Sequence, residues 1–139
     1  MLRIVLNPEI LSTALCCASG ASHALLNEAA YMRVCLLITA PLIAEYHYTL
    51  QSPAERLAHG RTEEAMDRFL AAVAAAGEPV ITDLQWRPRV PDALDDIVLQ
   101  AGVMGRADAV VTLRPNRFSN AAALGLRVMT PTEMLMRIR

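Results

Sequence analysis

Four short apolar runs, at residues 3–6, 34–38, 109–112 and 126–129, constrain the fold of this chain more than any other feature. They are nearly continuous in apolar character, which suits strands buried on both faces. Three of them lead straight into a helix start. Asn7 is followed by Pro8 and Glu9, Thr39 opens a helical stretch, and Thr130-Pro131-Thr132-Glu133 has the spacing of a capping box. Residues 79–82 offer a fifth, briefer run.

Helical patterns fill the intervals. One ends by Gly20 and another covers residues 22–31. A third follows Thr39 with an apolar stripe of Leu42, Ile43, Tyr46 and Leu50. A fourth opens at Thr62, carries Met66, Phe69, Leu70 and Val73, and closes at Gly77. Asp92, with Asp95 three residues on, starts a fifth, and Met134, Leu135 and Ile138 mark the last. Alternation of this kind implies right-handed crossovers and a three-layer α/β/α architecture around a mainly parallel sheet of four or five strands. No repeat, low-complexity tract or linker divides residues 1–139, so a single domain is expected, long enough to bury a core without staples.

The longest uncharged apolar run, residues 34–44, falls well short of the roughly 20 residues that span a bilayer. The first residues read as strand and turn, not as a cleavable leader, which makes a cytoplasmic location the expectation. Cys16, Cys17 and Cys35 are odd in number and lack zinc spacing; they are expected to be small buried hydrophobes in a reducing compartment. With a net charge of −1, no global field draws in nucleic acid. Aromatic residues make up 4% of the chain, too few for a base-stacking platform. The glycines form no phosphate-binding loop, which leaves a small-molecule-binding α/β protein without support.

In open parallel sheets ligands bind beyond the carboxyl ends of the strands. Asn7, residues 39–45, 92–96 and 112–116 all fall there. Polar and acidic side chains therefore gather at one end of the predicted sheet.

The blocks that carry them form an ordered set: Leu6-Asn7-Pro8-Glu9-Ile10-Leu11, then Thr39-Ala40-Pro41-Leu42-Ile43-Ala44-Glu45-Tyr46, then Asp95-Asp96 leading to Ala107-Asp108-Ala109-Val110-Val111-Thr112, then Met129-Thr130-Pro131-Thr132-Glu133. In this order and spacing the chain resembles a PIN domain, in particular the branch of toxin components of toxin–antitoxin pairs. The resemblance implies a small Mg²⁺- or Mn²⁺-dependent endoribonuclease of single-stranded RNA, a homodimer, and an antitoxin protein as partner. Hard divalent ions take oxygen ligands, and a held ion orients and acidifies a water for in-line attack on a phosphodiester.

Carried over by position, the acidic ring would be Asn7, Glu45, Asp96 with Asp95 beside it, and Arg114, with Asn116 near a further acidic position. Glu45 and Asp96 would hold the metal, Asp95 and Asn7 would assist, and Thr112, Arg114, Asn116 and Arg117 would engage substrate. Asp95 and Asp92 also read as helix caps, and Asp108 as structural.

Two positions depart from the family pattern. Asn7 lacks the charge, and Arg114 reverses it. At about 5 Å and an effective dielectric near 20, each unit of charge acting on a divalent ion is worth on the order of several kcal/mol. The expectation is that Arg114 pairs with Glu45 or Asp96 and stands in for the metal, leaving a weak or absent ion site and impaired catalysis. The alternative is a non-catalytic module that keeps the fold to bind RNA or a protein. Trp86-Arg87-Pro88-Arg89 reads as a solvated loop, with contact to RNA phosphates near the pocket mouth, alongside Arg114 and Arg117, as the alternative. His23, His47 and His59 have no ligand spacing and read as surface residues.

Overall fold

The computed structural model describes residues 1–83 and 85–138. In chain order the elements are β1 (Arg3–Leu6), α1 (Pro8–Cys16), α2 (Ala21–Ala30), β2 (Cys35–Ile38), α3 (Ala40–Gln51), α4 (Pro53–His59), α5 (Glu63–Ala76), β3 (Glu78–Pro79), α6 (Ala93–Met104), β4 (Ala109–Val111), two 3-10 turns (Pro115–Phe118 and Ala121–Leu124), β5 (Arg127–Met129) and α7 (Pro131–Ile138). The five strands form one parallel sheet in the order β3-β2-β1-β4-β5, flanked by helices as expected.

The most apolar strands sit where burial is deepest. Ile4, Val5, Val110 and Val111 in the central strands are fully enclosed, and Leu25, Leu42, Leu50, Met66, Val98 and Leu99 close over them from the helices. The stripe on α3 behaves as its period demands, with Leu42, Tyr46 and Leu50 buried.

The helix starts are chemical, not only topological. Asn7 Oδ1 accepts from Glu9 N, Thr39 Oγ1 from Leu42 N, Thr62 Oγ1 from Ala65 N and Asp92 Oδ1 from Asp95 N. The Thr130–Glu133 pair closes a reciprocal capping box, at 3.1 Å and 3.2 Å.

Three expectations need correction. Helix α4 was not signalled, because it buries no residue and so carries no apolar stripe. The brief run at 79–82 pairs only through Glu78–Pro79, with Val80 N adding one bond to Ile38 O. Cys16 and Cys17 are exposed because α1 leaves the core at its last turn, and Cys35 is half-buried at the start of β2. The Ser19 hydroxyl, 3.6 Å from Cys17 Sγ, holds that thiol below its ordinary pKa. No single helix among the described residues is long and apolar enough to cross a membrane.

Candidate functional site

The sheet order decides which polar residues meet. β1 lies directly beside β4, with Leu6 in register with Val111, so the residues that follow the two strands emerge together. Asn7 N donates to Val111 O at 2.9 Å, and the buried Tyr46 hydroxyl donates to Leu6 O at 2.6 Å. Burial pushes the Tyr46 pKa up, so the hydroxyl stays a donor. The end of β1 is thereby held from both sides.

Glu9 occupies the gap between the two strand ends. Its Oε1 accepts from Thr112 Oγ1 and from Leu113 N, each at 2.9 Å, and its Oε2 lies 3.6 Å from Arg114 Nε. Thr112 is fully buried, and its hydroxyl also accepts from Arg114 N at 3.0 Å. A residue expected to touch substrate therefore ties the loop after β4 to α1.

The second carboxylate in the cleft is Asp95, only 4% exposed. Arg117 binds it through Nε at 3.1 Å and reaches Asp92 Oδ2 at 3.4 Å with its terminal nitrogen. Burial raises the Asp95 pKa, and the charges of Asp92 and Glu9 add to the rise. Arg117 and then Arg114 oppose it. Glu9, Asp92, Asp95, Arg114 and Arg117 are thus one electrostatic group.

Asp96 points elsewhere. Its two oxygens accept from Trp86 Nε1 at 2.9 Å and Arg89 N at 2.7 Å, and the Arg89 guanidinium lies 5.2 Å from the Trp86 ring centroid. Asn120 Nδ2 adds a bond to Arg89 O. Successive helical residues differ by about 100° around the axis, so adjacent acids on α6 serve different neighbours. Of the two, the geometry puts Asp95 in the cleft and gives Asp96 the anchoring of the 85–90 loop. That loop, expected to be merely solvated, is held at three points.

The remaining candidates are not brought together. Glu45 is half-buried on α3, with no hydrogen bond or ion pair among the described residues. Arg114 pairs with Glu9 and not with Glu45 or Asp96, and its side chain is 63% exposed. Asn116 is exposed on the first 3-10 turn. Asn7 is buried and its amide oxygen is used as a cap. Sequence reasoning missed Glu9 and Arg117's double role; the only local signal for Glu9 was its place in the first turn of a capped helix beside the strand end.

An all-parallel α/β/α domain with carboxylates and arginines at the carboxyl ends of its central strands is a nuclease-like architecture. The PIN domain family matches residues 3–113, and the chain belongs to that family. No curated protein and no solved structure matches it.

PIN domains generally use divalent metals. The donor set here does not fit one. No three Asp, Glu, His or Cys side chains converge at ligand spacing among the described residues. Glu9 Oε1 is filled by two protein donors and its other oxygen faces a guanidinium, while Asp95 is paired with Arg117. A hard cation gains affinity from free anionic oxygens, and those of Glu9 and Asp95 are spent on protein partners, while Glu45 alone is too few for a site.

Proposed function

We propose that this chain is a PIN domain of the endoribonuclease-toxin type whose catalysis is weakened or lost. The observation that carries the reading is the internal pairing of Glu9 and Asp95 with Arg114 and Arg117, at 3.6 Å and 3.1 Å. Two guanidiniums balance carboxylates that a Mg²⁺- or Mn²⁺-dependent relative would leave for its ion. The uncharged Asn7 supports the same reading. No catalytic step through a metal follows from this donor set.

The companion reading is a non-catalytic PIN-fold module that binds single-stranded RNA or a protein such as an antitoxin, as a cytoplasmic homodimer. It is favoured by the exposure of Arg114, whose free guanidinium nitrogens can meet a phosphate.

The test is cleavage of a labelled single-stranded RNA in Mn²⁺, with binding of Mn²⁺ measured by calorimetry. The unmodified protein is compared with Asn7→Asp/Arg114→Asp/Arg117→Gln. The expected result is no cleavage and no ion binding by the parent, with both gained by the triple variant. EDTA-sensitive cleavage by the parent, lost in Asp95→Ala, overturns the impaired-site reading. RNA binding without cleavage supports the module.

A further inference from the structure

Helix α2 packs on α1 and α7 while α5 packs on α3, with little direct packing between α2 and α5. A cavity of about 320 Å³ remains between them over β2. Leu26 and Ala29 of α2 form one wall, Phe69 and Val73 of α5 the other, and Leu36 of β2 the floor. The volume sits at the low end for preformed small-molecule sites, which are mostly apolar with a few placed polar groups.

The polar side chains at this cavity are His23, Asn27 and Arg61; no Asp or Glu lines it, so the formal charge at its edge is that of Arg61. Arg61 has no carboxylate partner among the described residues. Its guanidinium makes a single long bond, 3.5 Å, to Leu15 O. Its backbone is held by the N–H donated to His59 Nδ1 at 3.0 Å, just after Gly60 turns the chain with φ 64°. An exposed cation with no carboxylate partner, beside an apolar slot, is complementary to one ligand chemistry.

We propose that the α2/α5 slot binds a small amphiphilic anion, a compact hydrocarbon body carrying one carboxylate, with Arg61 receiving the head group. A bulkier polar ligand finds only His23 and Asn27 beside Arg61 on otherwise apolar walls, and a cation finds no carboxylate. This inference is independent of the nuclease reading, since the slot shares no residue with the cleft.

Decanoate is the probe and decanol its uncharged control, both titrated against the full chain by displacement of anilinonaphthalene sulfonate. Arg61→Gln is expected to weaken decanoate about tenfold, the loss of one charge-assisted contact, and to leave decanol unchanged. Ala72→Phe, which fills the slot from an exposed position on α5, is expected to abolish both. Ala30→Leu from the opposite wall guards against misfolding of the first filler, and thermal melts establish that each variant is folded. Equal decanoate binding in parent and folded Ala72→Phe overturns the proposal, as does equal affinity for decanoate in parent and Arg61→Gln. A concentration-dependent dimer broken by Ala72→Phe also overturns it, because a second copy then fills the slot.

Discussion

Replacing Arg117 by glutamine removes the one cation in direct contact with Asp95 among the described residues. At 3.1 Å and an effective dielectric near 20, the bare attraction is about 5 kcal/mol. The Arg117 side chain is 37% exposed, against 5% for Asp95, so solvent screens the pair strongly. A net loss of roughly 1–2 kcal/mol near neutral pH follows, above the surface-pair median because one partner is buried. The pH dependence has a definite sign. Asp95 already holds its proton more tightly in the folded state than in the unfolded chain, through burial first and then Asp92 and Glu9. Its ionisation costs the fold nothing below the unfolded pKa and costs it progressively as pH rises through the folded one. Without Arg117 that folded pKa climbs further, so the loss should be large near pH 8 and small near pH 4. Urea unfolding at both pH values is the assay, since guanidinium would screen the pair being measured. In an Asp95→Asn background the same replacement should cost at most about 0.5 kcal/mol, the worth of the exposed Asp92 contact. Equal losses in both backgrounds, or a loss indifferent to pH, would refute the electrostatic account.

Three further outcomes are expected. Tyr46→Phe leaves Leu6 O without its buried donor and should cost about 1–2 kcal/mol in urea unfolding, with the fold retained. Asp96→Ala removes two of the three anchors of the 85–90 loop; trypsin should then cut after Arg89 several times faster, as read by mass spectrometry, and an unchanged cleavage rate counts against the anchor. Gly105→Ala puts a methyl 2.7 Å from Leu37 Cδ1 and 2.9 Å from Ala101 O, and overpacking against backbone should cost about 1–3 kcal/mol in thermal or urea unfolding.

The helix starts were legible because a cap is a local device: Asn7, Thr39, Thr62, Asp92 and Thr130 each act within three residues of themselves. The strands were legible for the same reason, as short apolar runs between those caps. Helix α4 escaped because it turns no apolar face inward, and the exposed Cys16-Cys17 pair because residue type alone does not say where a helix leaves the core. The site was legible only as a neighbourhood. Choosing between Asp95 and Asp96 requires the rotation of α6 about its axis, which packing against β1, β2 and β4 sets. Assigning Glu9 its partners requires knowing that β4 adjoins β1. Arg114's partner followed from that adjacency too, which is why the expected pairing with Glu45 or Asp96 did not form.

The sheet order also has a consequence in time. β1 leaves the ribosome before the other four strands, yet it is the central one, and its neighbour β4 begins at Ala109. Arg3 N waits for Asp108, 105 residues later, and Glu9 waits for Thr112. For most of synthesis one edge of an apolar strand stands unpaired, and parallel pairing across such separations is slow and exposed to aggregation. The capped α1 and the Tyr46 hydroxyl can fix the end of β1 as soon as α3 exists, well before β4 and β5 arrive.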